Sequence, residues 1–246
     1  MPATPPVALV TGSARRIGAA IARRLHAEGY DLALHYRGAA AEMQALAIEL
    51  ESTRPGSVLT LQADLSEFDR LPELVAQTVG RFGRMDALVN NASSFQPTPV
   101  GTTTPQQWDA LFASNARAPF FLAQAAAPYL KTTRGAIVNL VDVYAERPLA
   151  GHTVYCMAKA ALLMATKSLA LELAPDVRVN AVAPGAILWA ENETSEAKQQ
   201  AMLARTPLAR TGTAEEIAEA VRWLLRDATY VTGQVIRVDG GRMLAG

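Results

Sequence analysis

Two rhythms alternate along the chain. Short runs dominated by apolar and β-branched residues occupy Val7 to Val10, Asp31 to Tyr36, Val58 to Ala63, Met85 to Val89, Gly135 to Val141, Val177 to Ala183 and Val235 to Val238, and each predicts a strand. Between them the apolar positions recur at helical spacing, as at Ile21, Ala22 and Leu25. Further helices are expected over Ala40 to Leu50, Leu71 to Phe82, Thr104 to Leu130, Thr153 to Leu173 and Ala214 to Leu225. The stretch from Pro184 to Thr206 turns polar, with Glu, Gln and Asn, and reads as a lid-like loop. Strands that alternate with helices in this way predict an α/β fold, a Rossmann-like doubly wound parallel sheet of about seven strands with helices on both faces.

Composition narrows the picture. Half of the 246 residues are hydrophobic, enough for one large core, so residues 1–246 are expected to form a single domain. Lys plus Arg equals Asp plus Glu at 23 each, and no long run of like charge occurs. The chain therefore lacks an electrostatic footprint for nucleic acid or for an anionic membrane, and a small-molecule partner is expected. The N-terminal residues lack a charged segment followed by an apolar one, and no stretch approaches 18 uninterrupted apolar residues, which predicts a soluble, cytoplasmic protein. Cys156 is the sole cysteine and the three histidines are scattered, so neither an internal disulfide nor a metal site is expected.

Candidate chemistry collects where strands end. After the first strand comes Thr11-Gly12-Ser13-Ala14-Arg15-Arg16-Ile17-Gly18, a glycine turn that opens a helix. Gly12 permits a tight turn against a phosphate, and the N–H groups at a helix start favour a pyrophosphate; a plain strand-to-helix loop has the same outline. A dinucleotide fingerprint often has its middle glycine where Arg16 stands, and a guanidinium there can grip a phosphate or a flat polar ligand. The second strand ends in Tyr36 and Arg37, where a site for the ribose 2′-OH of NAD wants a carboxylate. With Arg15 and Arg16 nearby, this favours the 2′-phosphate of NADP, against the alternative of a solvated loop charge at Arg37. Asp64, followed by Leu65, either accepts from an adenine amino group or caps the next helix, and capping is the safer reading.

The fourth strand runs into Asn90-Asn91-Ala92-Ser93-Ser94-Phe95, small residues that let backbone pass close to a bound ribose and nicotinamide. Phe95 offers either packing or a stacking surface for a planar heterocycle. Asn115 inside a predicted helix is mildly unfavourable and hints at a polar task, such as holding a water or a backbone carbonyl, unless it is merely exposed. Asp142 ends the fifth strand. Tyr155 and Lys159, four apart on a predicted helix, share a face, and an ammonium beside a phenol is expected to pull the phenol's pKa down toward the range of a general acid. Ligands in open α/β sheets lie beyond the carboxyl ends of the strands, so Gly12, Asn91 and Asp142 should converge on one edge.

Taken together, T-G-x-x-x-x-x-G at Thr11 to Gly18, N-N-A-S at Asn90 to Ser93, Asn115, Tyr155-x-x-x-Lys159, Pro184-Gly185 and D-G-G at Asp239 to Gly241 resemble the short-chain dehydrogenase/reductase family over nearly the whole chain. The resemblance implies that Tyr155 is the proton donor, that Lys159 lowers its pKa and holds the nicotinamide ribose, and that Asn115 carries a water in a proton relay. By the same resemblance NADP(H) is bound by Gly12, Arg15, Arg16, Ile17, Tyr36, Arg37, Asp64, Leu65, Asn91, Ala92, Ser93, Tyr155, Lys159, Pro184, Gly185 and Ile187. Most members carry a serine where Asp142 stands and a glycine where Arg16 stands. These two departures, with N-N-A-S-S-F and L-H-Y at Leu34 to Tyr36, are similar to the pteridine reductase branch. That branch implies a pterin substrate between nicotinamide and Phe95, contacted by Arg16, Ser93, Asp142, Tyr155 and Leu188, with Asp142 a catalytic residue that, with Lys159, steers Tyr155 as it supplies the proton to a ring nitrogen. Reduction of a dihydromonapterin, or of a 3-oxoacyl or sugar carbonyl, and a non-catalytic NADP(H) sensor are the competing readings. The excess of Ala and Leu on the helices near 105–130 and 153–173 predicts a symmetric oligomer, a homotetramer as in the resembled family.

Overall fold

A computed structural model of the chain describes residues 4–187 and 196–245. Seven parallel strands, β1 (Val7–Val10), β2 (Asp31–Tyr36), β3 (Val58–Gln62), β4 (Ala87–Asn90), β5 (Ala136–Leu140), β6 (Arg178–Pro184) and β7 (Val235–Val238), lie in the order β3-β2-β1-β4-β5-β6-β7. The order reverses direction between β1 and β4. Chain crossovers leave that point in opposite senses, which opens a crevice above the strand ends.

Period-2 alternation within each strand divides the core into two layers. Ala8, Val10, Leu32, Leu34, Ala87, Val89, Ala136 and Val138 face the layer packed by α1 (Arg16–Ala27) and α8 (Ala214–Arg226). Leu9, Ala33, Leu88 and Ile137 face the opposite layer, against α3 (Arg70–Phe82), α5 (Ala118–Thr133) and α6 (Thr153–Leu173). A sheet covered on both faces needs apolar residues at every strand position, which is why these runs read as nearly continuous.

The expected elements are present with shifted ends. α2 spans Ala40–Thr53 and continues a turn past its predicted stop. The predicted Thr104 to Leu130 helix is three segments: α4 (Pro105–Phe112), a π-helical turn at Ala113–Arg117, and α5. α4 starts in a capping box, with Thr104 and Gln107 each accepting from the other's backbone N–H. The polar stretch after Pro184 is not wholly a loop, because Glu196–Ala204 forms a helix, α7. Its sequence, E-A-K-Q-Q-A-M-L-A, consists of good helix formers whose polarity resembles that of a loop. α6 is long and apolar enough to cross a membrane by composition alone, yet it packs as a core helix beside β5 and β6.

The layered core sets a stability contrast. Leu9 is fully buried and Ile48 is 63% exposed. Leu9→Ala should cost about 2–5 kcal/mol, whereas Ile48→Ala should stay within about 0.5 kcal/mol, as read from urea unfolding midpoints.

Candidate active site

The carboxyl ends of β1, β4, β5 and β6 open onto a cleft of ≈ 200 Å³. Ten predicted residues line it: Arg16, Ile17, Asn91, Ser93, Asp142, Tyr155, Lys159, Pro184, Gly185 and Ile187. The chain brings them together from positions up to 171 apart, because each stands just past a strand end or on the helix that follows.

The turn after β1 is clamped on every side. Gly12 adopts φ +62°, and a Cβ there would lie 2.8 Å from the Cα of Ala92. Its carbonyl accepts from the Asn91 amide at 2.9 Å, and its N–H donates to Nδ1 of His35 at 3.2 Å. Thr11 Oγ1 accepts the backbone N–H groups of Asn91 and Ala92, both at 3.0 Å. Gly18 lies so close that a Cβ would meet the Gly12 carbonyl at 2.1 Å. Gly185 is similarly confined by Asp239, 2.6 Å from the position of its missing Cβ. The result is a cradle at the start of α1 walled by closely packed backbone, where only glycine fits at positions 12 and 18.

Arg16 sits at the lip of this cradle with φ +55°. An L side chain in that left-handed region costs about 1–2 kcal/mol relative to glycine. Arg134 and Ala209 adopt the same region, and of the three only Arg16 lines the cleft. Arg15, its neighbour, is exposed and lies 4.0 Å from Glu42, outside the cleft.

Deeper in the cleft, the Tyr155 hydroxyl donates to Oδ2 of Asp142 at 2.7 Å. Asp142 Oδ1 accepts the N–H of Tyr144 at 2.9 Å, which fixes the carboxylate at the start of a short 3₁₀ turn. Lys159 is fully buried and donates to the Leu140 carbonyl at 2.8 Å. Its ammonium lies 5.8 Å from the centre of the Tyr155 ring, so it faces the ring without bonding the hydroxyl.

These contacts correct the expectation that the ammonium lowers the phenol's pKa. Burial raises Tyr155 well above the ordinary tyrosine range, and the charge and hydrogen bond of Asp142 raise it further, with Ser93 pulling the other way. Burial also raises Asp142, opposed by the Tyr144 N–H, Tyr155, Lys159 and Arg242. Lys159 is pushed down to about 8 by burial, with Asp142 opposing. Asp142 is expected from the resemblance to steer Tyr155; the structure shows that burial first, and then this carboxylate, raise the phenol instead of lowering it. The arrangement holds a protonated phenol against a carboxylate with a buried cation behind both, so it can deliver a proton to an atom placed in the cleft.

Asn115 is completely buried rather than exposed. Its amide donates to the Leu111 carbonyl at 3.0 Å and the Ser94 carbonyl at 2.9 Å, while its Oδ1 accepts from Ser93 Oγ at 2.7 Å. By taking the Leu111 carbonyl the side chain displaces the regular helical bond, which accounts for the π turn at Ala113–Arg117. Ser93 thereby joins Asn115 to Tyr155.

Phe95 lies beside the cleft rather than in its lining. One side of its ring stacks on His152, with centroids 4.5 Å apart, and it meets Tyr155 edge to face at 4.8 Å. It is 57% exposed. His152 went unnoticed in sequence because nothing in its spacing links it to Phe95; an isolated bridge between Thr98 and His152 brings them together.

The remaining predicted residues stand apart from the cleft. Tyr36 ends β2 and Arg37 follows it; the Tyr36 carbonyl accepts from the Ala63 N–H and the Arg37 carbonyl from the Gln62 amide. Leu65 is buried in the core. Asp64 does not cap α3, which begins at Arg70; its Oδ1 accepts from Ser66 N–H at 2.8 Å and closes a local turn. The intervening residues form their own turn before the helix starts, which a capping rule based on proximity misses. Leu188 lies outside the described residues.

The carboxylate's grip on the phenol is directly testable. Asp142→Asn removes its charge, so Tyr155 should titrate at lower pH, seen as a shifted tyrosinate absorbance step that Tyr155→Phe abolishes.

Comparison with known proteins agrees with this architecture. Residues 12–242 match the family described as enoyl-(acyl carrier protein) reductase. The chain is 42% identical to pteridine reductase 1 of Leishmania tarentolae, over 98% of this chain and 97% of that protein. It is 38% identical to the 3-oxoacyl-(acyl-carrier-protein) reductase FabG of Staphylococcus aureus, over 95% and 96% of the two chains. It is also 37% identical to the granaticin polyketide synthase putative ketoacyl reductase 2 of Streptomyces violaceoruber, over 97% and 96%. With a parallel sheet, a glycine-walled cradle and a tyrosine–lysine pair on one strand edge, the chain belongs to the short-chain dehydrogenase/reductase family and is an oxidoreductase.

Proposed function

We propose that this oxidoreductase is an NADPH-dependent pteridine reductase that converts a dihydropterin to its tetrahydro form. The observation that carries the reading is the pairing of Arg16 and Asp142 in one cleft with Tyr155. A ketone oxygen asks for a hydroxyl donor, whereas a pterin presents ring nitrogens and an amino group, for which a guanidinium and a carboxylate are suited partners. The 42% identity to a pteridine reductase supports the same choice.

The turn that opens α1 fits a dinucleotide, since no side chain caps the helix start and its first N–H groups can take a pyrophosphate. Ile17, Pro184, Gly185 and Ile187 would flank it, Lys159 would hold the ribose, and Tyr36 and Arg37 at the end of β2 would receive the 2′-phosphate. When bound, the nicotinamide supplies the hydride for the carbon of a C=N bond. Tyr155 supplies the proton to the nitrogen, and Asp142 holds the phenolic O–H in the protonated state until transfer. Ser93 can steady the resulting phenolate by turning its one hydroxyl proton from Asn115 Oδ1 toward the phenolic oxygen. Phe95 and His152 form an aromatic wall beside Tyr155, against which a flat ring can rest on one side only.

The relatives that reduce 3-oxoacyl chains define the rival. NADPH oxidation is expected with dihydrobiopterin and not with an acetoacetyl thioester; turnover of the thioester alone discards the pterin assignment. Tyr155→Phe should lower kcat by about 10²-fold or more. In the active protein kcat/KM should fall as pH rises through about 8, because Lys159 then loses the proton that makes it a cation.

The reading extends to a homotetramer. α5 and α6 leave Phe120, Tyr129, Met157, Met164 and Leu171 exposed, apolar side chains that a partner surface would cover. Sedimentation at micromolar concentration is expected to give a tetramer, and a monomer there ends the idea.

A further inference from the structure

His35, on β2, is buried at 2% exposure and belongs to no part of the proton-transfer apparatus. Its two ring nitrogens are both engaged. Nδ1 accepts from the Gly12 N–H at 3.2 Å, and Nε2 lies 3.1 Å from the Ala63 carbonyl. An N–H needs an acceptor and a carbonyl needs a donor, so this geometry admits one form only: neutral imidazole with its proton on Nε2.

The ring is one of four groups that grip the turn between β1 and α1. Asn91 holds the Gly12 carbonyl, Ala92 packs against its Cα, and the His35 carbonyl accepts both the N–H and the hydroxyl of Ser13, at 2.9 and 3.1 Å. His35 thus fastens the turn through its side chain and its backbone. It also precedes Tyr36 and Arg37 directly, so a change at the ring reaches both ends of the dinucleotide site.

We infer that His35 is a positioning residue that couples dinucleotide affinity to pH: the neutral ring braces the phosphate-binding turn, and its protonation undoes the brace. Protonation adds a hydrogen to Nδ1, which then points at the Gly12 N–H, and two donors face each other across a contact that needs an acceptor. The turn must open or rotate to relieve this. A cofactor that needs the closed turn therefore binds the neutral form better, and by linkage its binding opposes protonation of His35.

The surroundings set the direction. Burial holds His35 below the ordinary histidine pKa; its bond to the Ala63 carbonyl and the nearby Asp64 carboxylate act the other way. The charge of Asp64 is itself countered by Arg37, and the turn contributes only Gly12 and Ser13, which carry no charge. A group whose folded pKa is depressed contributes its stabilisation above its free value, and that stabilisation is lost as pH falls through the folded value. The effect accordingly lies on the acid side of the histidine reference near 6.5.

The inference rests on the dinucleotide reading, and the experiment separates the two. NADP⁺ is titrated by calorimetry into the wild-type protein, His35→Asn and His35→Gln from pH 7.5 down to about 5, in the range where an ordinary histidine titrates. Asparagine can present an acceptor near the Nδ1 position without titrating, and glutamine reaches only toward Nε2. The wild-type Kd should rise on the order of fivefold to tenfold more than that of His35→Asn across this range, with any titration of the ligand's own phosphate common to both. His35→Gln should bind more weakly at pH 7.5 and lack the extra acid dependence. A wild-type acid response equal to that of His35→Asn, or full affinity in His35→Gln, overturns the inference; no NADP⁺ binding by the wild type at any pH overturns the dinucleotide reading instead. Should either variant fail to fold, the wild-type ring decides by nitrogen NMR, where a proton on Nδ1 at neutral pH overturns the brace.

Discussion

The site depends on one buried hydrogen bond, from the phenol of Tyr155 to the carboxylate of Asp142. It joins the residues just past β5 to the first turn of α6, and it bears on the protonation of both partners. A carboxylate in a poorly hydrated cleft is costly unless donors surround it. Asp142 has a backbone N–H, the phenol and two neighbouring cations, Lys159 and Arg242, to offset that cost. The phenol in turn is held as a donor, since giving up its proton would set a second negative charge against the first. A serine at position 142 would impose no such charge, so the substitution changes the electrostatics of the whole cleft as well as one contact.

Around that bond the buried side chains of Lys159 and Asn115 are each held by hydrogen bonds. Lys159 is anchored by the Leu140 carbonyl and keeps its distance from the phenolic oxygen. Asn115 is anchored by two carbonyls and presents its oxygen to Ser93. The π turn that makes this possible departs from the regular helix, and it occurs where a side-chain amide outcompetes a backbone N–H. On the other side of the cleft, the Gly12 turn is held by Asn91, Ala92 and His35. Rigid support of this kind keeps donors and cations in place without reorganisation when a ligand arrives.

Family membership and substrate choice rest on different residues. The glycine turn, Asn115, Tyr155 and Lys159 are the features shared with the resemblance to the whole family, and they would suit reduction of either a carbonyl or a C=N bond. In the proposed reading Arg16 and Asp142 carry the distinction. Arg16 occupies a left-handed backbone position that glycine would fill without strain, and it lines the cleft beside Asp142.

Much of this was legible in the chain itself. Strand and helix positions follow from apolar periodicity, since a sheet buried on both faces requires continuous apolar runs and its covering helices require stripes. The convergence of Gly12, Asn91 and Asp142 follows from parallel topology, which places every strand's carboxyl end on one edge. What periodicity cannot carry is the direction of individual side chains across long separations. That Asp142 bonds Tyr155 and raises its pKa, that His152 stacks on Phe95, that His35 reaches the Gly12 N–H and that Asp64 turns on Ser66 instead of capping a helix were all decided by tertiary packing. The helix Glu196–Ala204 escaped notice because its Glu, Lys and Gln residues give it the composition of a loop. Sequence determined which groups meet at the strand ends; the folded structure decided which atom faces which, because hydrogen bonds act over about 3 Å, and only the three-dimensional fold brings distant residues to that separation.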